Sequence, residues 1–249
     1  MAAVGWIGGG EAEVKAGALF SGGKDSTYAA YLASKREELA CLITIFPPSN
    51  MSYMFHYPNL EWTGLQAEAM GVPQVKQGTT GVKEEELNDL NNALLLAKEK
   101  FGIECVYTGA LASVYQKSRV EAVCSRLGLK CVSPLWNSDP ESHLRKLIDE
   151  GFDFIITSVS AMGLDEVWLG RRVDSETVDR LLSLARKYGF HAGLEGGEGE
   201  TYVLDCPAFS KQVKILESKK VWNGDSGYLS ILRAELVRKE VAASSQERG

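Results

Sequence analysis

The 249-residue chain contains no apolar run of about 18 residues and no basic-then-apolar opening, so no membrane-spanning helix or secretory signal is expected. It has no Cys-x-x-Cys pair. Cys41, Cys105, Cys124, Cys131 and Cys206 are scattered, mostly in apolar runs. This spacing argues against a structural zinc site or a dithiol redox pair and reads the thiols as small core residues. A basic balance is missing too: the net charge is −6 and the pI about 5.3, which speaks against a broad nucleic-acid-binding face. Internal repeats are absent. What remains is an ordinary globular composition, 45% hydrophobic and 24% charged. It suffices for one large domain or two small ones in a cytoplasmic protein.

Against that background one segment stands out. Ser21-Gly22-Gly23-Lys24-Asp25-Ser26 follows the apolar run Gly17-Ala18-Leu19-Phe20 and precedes a helix-compatible stretch from Thr27 to Ala33. This is strand, glycine turn and helix start. Adjacent glycines let backbone approach a bulky anion, because no Cβ intervenes. The first N–H groups of a helix have no internal partner and carry partial positive charge. Lys24 adds a full charge and the two serines add hydroxyls, which together suit phosphate or pyrophosphate. The spacing is not that of a Walker loop. It resembles the PP-loop of ATP pyrophosphatases, which cleave ATP between its α and β phosphates.

Strand and helix signals alternate through the first half. Leu39–Phe46 reads as a buried parallel strand, residues 62–70 as a helix and Val72–Val75 as a short strand. Leu87, Leu90, Leu94 and Ala97 mark a helix from about Lys83 to Lys100. Cys105–Thr108 is the next strand, and Val120, Val123, Cys124 and Leu127 mark a helix stopped by Gly128. Beyond Trp136 the pattern changes: Leu144, Leu147 and Ile148 suit a helix, Phe154–Val159 a strand, and Val178–Ala185 a helix stopped near Gly189. Three further strands follow with no helix between them. The expectation is an α/β parallel-sheet domain over 17–137 and a smaller C-terminal α+β domain over 138–238, with substrate in the crevice between them. Residues 1–16 and 239–249 read as flexible ends.

Three other segments carry candidate chemistry. Asn50–Tyr57 follows the second strand, where a loop would lie beside a nucleotide; Met54 and His56 are candidate substrate contacts, and His56 a candidate acid or base. Thr108–Arg119 runs from a strand end into a helix. Gly109 permits close approach to a flat ring, Ser113 caps the helix, and Arg119 can reach a phosphate, unless it is a solvated surface charge. Glu195-Gly196-Gly197-Glu198-Gly199-Glu200-Thr201 concentrates three carboxylates on a glycine hinge, suited to hold a cation or orient an ammonium group. A valine at Gly196 is expected to distort this turn if the position needs a positive φ.

Taken together, Ser21–Ser26, Ser52–His56, Thr108-Gly109-Ala110 with Tyr115-Gln116 and Arg119–Glu121, Val123–Leu129, Leu135-Trp136 and Glu195–Thr201 resemble the diphthine–ammonia ligases over roughly residues 17–235. The resemblance implies ATP-dependent amidation of diphthine on translation elongation factor 2 with ammonium, through an acyl-adenylate, releasing AMP and pyrophosphate. It implies ATP and Mg²⁺ as cofactors, with the metal ligands unassigned, and is compatible with a homo-oligomer. Catalytic roles fall on Lys24, Asp25, His56, Glu198 and Glu200. Nucleotide contacts fall on Ser21, Gly22, Gly23, Lys24, Asp25, Ser26, Gly109 and Arg119. Substrate contacts fall on Met54, His56, Tyr115, Gln116, Glu195, Gly196, Gly197, Glu198 and Thr201. Two positions depart from the family pattern. Val114 stands where an acidic residue is usual, and Gly199 where an aromatic is usual; the latter predicts a looser acidic loop. The rival readings are another PP-loop ligase, acting on tRNA or a small metabolite, and a non-enzymatic adenine-nucleotide sensor.

Overall fold

The structure, a computed structural model, describes residues 13–46, 59–79 and 85–239. Its first half is β1 Lys15–Leu19, α1 Lys24–Ser34, β2 Glu38–Phe46, a 3-10 turn Leu60–Trp62, α2 Thr63–Met70, β3 Gln74–Gly78, α3 Glu85–Phe101, β4 Cys105–Tyr107, α4 Val114–Arg126 and β5 Lys130–Val132. The strands form one parallel sheet in the order β3-β2-β1-β4-β5. Both faces are covered. Ala30, Ala33 and Ala67 of α1 and α2 pack on Ala16, Ala18 and Leu42, while Ala93, Leu94, Ala97, Val123 and Cys124 of α3 and α4 pack on Cys41, Ile43 and Val106. Burial on both faces is why β2 reads as a continuous apolar run.

The second half is α5 Pro140–Asp149, β6 Asp153–Val159, a 3-10 turn Glu166–Trp168, α6 Ser175–Tyr188, β7 Gly199–Asp205, β8 Gln212–Trp222 and β9 Gly227–Val237. Its strands form an antiparallel sheet, β7-β6-β9-β8. Asp139 caps α5 through the Ser142 N–H at 2.8 Å, and Asp174 caps α6 through the Thr177 N–H at 2.8 Å. Gly189, at φ 79, ends α6 as its sequence position suggested.

Three boundaries differ from expectation. The strand placed at Val72–Val75 lies at Gln74–Gly78, because Gly71 (φ 69) and Val72 complete the closure of α2 and Pro73 has no N–H for the ladder. Three residues assigned to the flexible ends have fixed places: Lys15 and Ala16 belong to β1, and Lys239 donates to the Cys206 carbonyl at 2.8 Å. The short β5 gave no periodic signal.

The two halves are stitched by buried polar contacts and by one shared apolar cluster, in which Tyr28, Ala69, Leu111 and Leu135 join the core of the second half. Asn59 sits at φ 78, and its amide donates to the Leu229 carbonyl at 3.0 Å and accepts from the Ile231 N–H at 2.7 Å. It thus pairs with β9 as a neighbouring strand would. The Trp62 indole donates to the Ile231 carbonyl at 2.8 Å, and Tyr202 donates to the Trp62 carbonyl at 3.0 Å.

Asn59→Ala strands a buried carbonyl and N–H and forces a Cβ residue without a compensating bond into the left-handed region. We expect a loss of about 2–4 kcal/mol by urea unfolding, with Asn59→Gly losing less because glycine accepts the φ. Equal stability of Asn59→Ala and wild type would show that this seam does not hold the halves together.

Candidate active site

In open parallel sheets, ligands bind beyond the carboxyl ends of the strands where the strand order reverses. Here that point lies between β1 and β4. The chain leaves β1 through Phe20 and turns at Ser21-Gly22-Gly23 into α1. Gly22 has φ 79, and a Cβ on it would lie 2.3 Å from the Gln66 side-chain oxygen. Inside the turn the Ser26 hydroxyl donates to the Gly23 carbonyl at 3.1 Å and accepts from the Ser21 N–H at 3.2 Å. With its proton so committed, Ser26 accepts from the Ser21 hydroxyl at 3.1 Å. Gly109, after β4, packs on this turn: a Cβ there would lie 2.7 Å from Asp25 and Ser26 backbone. Its need for glycine therefore has a protein cause.

The second half reaches into the same turn. The Lys24 N–H, an orphan donor at the start of α1, donates to the Thr201 hydroxyl at 3.0 Å. The Val203 N–H donates to the Gly22 carbonyl at 3.0 Å, and the Gln66 amide bridges the Gly22 and Val203 carbonyls at 2.9 and 2.8 Å. Thr201, expected to meet substrate, thus caps α1. Gln66 and Val203 carried no motif that would have flagged them.

The Lys24 ammonium is 3% exposed and donates to Asp25 Oδ2 and to the Gly193 carbonyl, both at 2.6 Å, with Glu195 at 3.8 Å. Burial disfavours its charge, but Asp25 and then Glu195 more than offset this and hold its pKa above the ordinary lysine value. For Asp25 burial also works against the charge; Lys24, then a hydrogen bond from His143, hold its pKa well below the carboxylate range. His143 Nε2 lies 2.7 Å from Asp25 Oδ1. Glu195 is pushed up to about 8, by burial and then by the Asp25 charge, against the pull of Lys24. Glu200 is pushed up to about 7, chiefly by burial, with Lys24 opposing and Asp25 adding to the rise. Near neutral pH, then, Lys24 and Asp25 are charged, Glu200 sits close to half-titration and Glu195 mostly holds its proton.

The acidic segment is a shaped turn. Leu194 (φ 60) and Gly197 (φ 87) are the residues in the left-handed region, and Gly196 is not. Gly196 is constrained by space instead, since a Cβ would lie 2.7 Å from Glu198 Oε1. Glu198 braces the turn from within, accepting the His191 N–H at 3.1 Å and the Gly196 N–H. Gly199 does not loosen the loop. It is buried at the start of β7, opposite Val159, where a Cβ would lie 2.5 Å from the Ser158 carbonyl oxygen.

On α4 the Ser113 hydroxyl caps the helix by accepting the Gln116 N–H at 3.3 Å, as expected. Tyr115 and Gln116 lie exposed on its first turn, Val114 is exposed, and the Arg119 guanidinium stacks 3.9 Å over the Tyr115 ring. Met54 and His56 lie outside the described residues. Among the described residues no three His, Cys, Asp or Glu side chains converge to hold a metal ion, and both Asp25 oxygens are engaged by Lys24 and His143, so the residues present do not fit an all-protein Mg²⁺ site. A cavity of about 790 Å³ lies over the antiparallel sheet between Ile155, Leu204 and Leu229 and includes no PP-loop residue.

The structure thus brings Ser21–Ser26, Gly109, Glu195, Glu200 and Thr201 into one junction. His143 is the residue that sequence reasoning missed. It shares the buried face of α5 with Leu147, one turn on, and reads there as a core histidine.

The order and spacing of these parts recur in known proteins. The diphthamide synthase N-terminal domain family matches residues 14–131, and the diphthamide synthase C-terminal domain family matches residues 139–237. The diphthine–ammonia ligase of Mus musculus is 35% identical over 245 residues, covering 90% of this chain and 91% of the relative. That of Homo sapiens is 36% identical over 228 residues, covering 84% and 85%. That of Schizosaccharomyces pombe is 34% identical over 239 residues, covering 89% of this chain and 39% of the longer relative. With both halves matched in order and the PP-loop joined to the acidic turn through Lys24 and Thr201, the chain belongs to the diphthamide synthase family.

Proposed function

We propose that this protein is an ATP-dependent ligase that amidates diphthine to diphthamide with ammonium, the diphthine being carried by translation elongation factor 2. The observation that carries this reading is the junction itself. A turn suited to pyrophosphate and a turn bearing two carboxylates of raised proton affinity share one buried ammonium. In the first half-reaction the substrate carboxylate attacks the α-phosphorus of ATP, forming an acyl–phosphate bond and breaking the α–β bridge. The Ser21–Ser26 turn and the start of α1 stabilise the charge that builds on departing pyrophosphate. In the second, ammonia attacks the acyl carbon, AMP leaves, and the proton shed by nitrogen passes to a carboxylate of the acidic turn. Glu200, and with it Glu195, has the affinity for that proton near neutral pH. Asp25, held ionised, positions Lys24 rather than carrying protons. Magnesium accompanying ATP would neutralise phosphate charge.

The products are expected to be AMP and pyrophosphate. A single turnover with ATP, ammonium and diphthine-bearing elongation factor, resolved by chromatography and mass measurement of the modified histidine, tests this; ADP as the main nucleotide product removes the adenylate.

Stability and activity should respond to pH with opposite signs. Glu195 and Glu200 hold protons in the folded state that the unfolded chain has released above about pH 4.5. Stability therefore falls as pH rises from about 5 to about 8, while amidation at fixed free ammonia rises as Glu200 ionises near 7. Glu200→Gln should flatten both profiles. Profiles unchanged in that variant would leave Glu200 without the assigned role.

Glu198→Gln puts an amide N–H against one of two N–H donors, costing about 1–3 kcal/mol locally. ATP affinity by calorimetry should stay near wild type while amidation slows strongly. Wild-type amidation by this variant would reduce Glu198 to a dispensable brace.

A further inference from the structure

We infer that His143 is a positioning residue of the ligase: by holding Asp25 in one orientation it fixes the Lys24 ammonium, and through it the acidic turn, against the PP-loop. This rests on the proposed function only for its kinetic arm.

The geometry runs through four groups in series. His143 is 4% exposed on the first turns of α5, and its Nε2 lies 2.7 Å from Asp25 Oδ1. Asp25 is held as a carboxylate, which has no proton to give. The hydrogen therefore sits on Nε2, and the imidazole donates. That donation occupies Oδ1 and leaves Oδ2 to the Lys24 ammonium at 2.6 Å. The ammonium in turn spends a second proton on the Gly193 carbonyl at 2.6 Å, at the entry to Leu194 and its left-handed backbone. A displacement of Asp25 is thereby passed to the turn that carries Glu195.

The imidazole itself is well anchored. Its ring lies 5.7 Å from that of Tyr28 on α1, and the Tyr28 hydroxyl donates to Glu150 at 2.9 Å, fixing α1 to the far end of α5. His143 also lines a cavity of about 360 Å³ together with Leu32, Leu135, Ser142 and Lys146. Proton relay is a poor alternative role: the path would run through Asp25, whose pKa lies far below that of Glu195.

Three variants separate donation from packing. His143→Gln places a side-chain N–H at about the reach of Nε2, His143→Asn falls short of Asp25, and His143→Leu fills volume without a donor. Amide hydrogen exchange of residues 193–197 in the nucleotide-free protein is read beside kcat and KM for ATP in the amidation assay. We expect His143→Gln to match wild type. His143→Asn and His143→Leu should exchange about tenfold faster across the turn and lose about tenfold in kcat, with KM for ATP changed less than about threefold. Should His143→Leu fail to fold, the Gln and Asn pair still decides: equal turn exchange in those two variants overturns the assignment. Because exchange is read without substrates, a wild-type protein lacking amidation would sink the proposed function and leave this inference standing.

Discussion

Everything at the junction depends on one buried ammonium. Lys24 would be costly to bury alone, since an unpaired charge taken out of water loses its hydration with no return. It is tolerated because Asp25 lies beside it in sequence and Gly193 and Glu195 reach it from more than 160 residues away. The charge therefore requires the second half of the chain to be in place. Removing either partner would leave the other buried and unsatisfied, the more damaging of the two ways to break such a pair. A phosphate-binding turn common to many nucleotide enzymes is in this way made specific to one partner turn.

Much of the frame could be read from residues alone. The β1 run, the glycine turn and the α1 start are local, and local chemistry identified them. Helix stops at Gly128 and Gly189 and the cap Ser113 are likewise set by neighbours in sequence. What stayed hidden was long-range. Thr201 looks like part of an acidic motif until its hydroxyl is found capping α1. Gln66 is one polar residue on a short helix, fully buried between two carbonyls it alone bridges with its amide. His143 sits one residue before Leu144 on an apolar stripe, and only the packing of α5 on α1 brings it to Asp25. No periodicity encodes such meetings.

The glycines make the same point in a different form. Several of them near the site demand the absence of a Cβ, for different reasons. Gly22 and Gly197 need a left-handed backbone, Gly109 lies against the start of α1, and Gly199 faces the Ser158 carbonyl. Sequence spacing suggested close approach to a ligand at Gly22 and Gly109 and a hinge at Gly197 and Gly199. At Gly22, Gly109 and Gly199 the structure shows close packing against protein atoms, which favours one fixed turn over a flexible loop. The missing aromatic at position 199 follows from this: with the Ser158 oxygen 2.5 Å from any Cβ, a ring has no place there in the present backbone.

Such an arrangement carries a thermodynamic tension. Glu195 and Glu200 are held where ionisation is unfavourable, so the folded state loses stability whenever both are charged. A left-handed leucine at position 194 adds backbone strain of roughly 1–3 kcal/mol. Neither feature helps the chain fold. Both are sustained by the surrounding seam, where Asn59, Trp62, Gln66, Tyr202 and Val203 tie the halves with hydrogen bonds between uncharged groups. The seam is neutral, and the cluster it encloses is charged and strained. Separating the two jobs lets the acidic turn keep proton affinities near neutral pH without the sheets having to part.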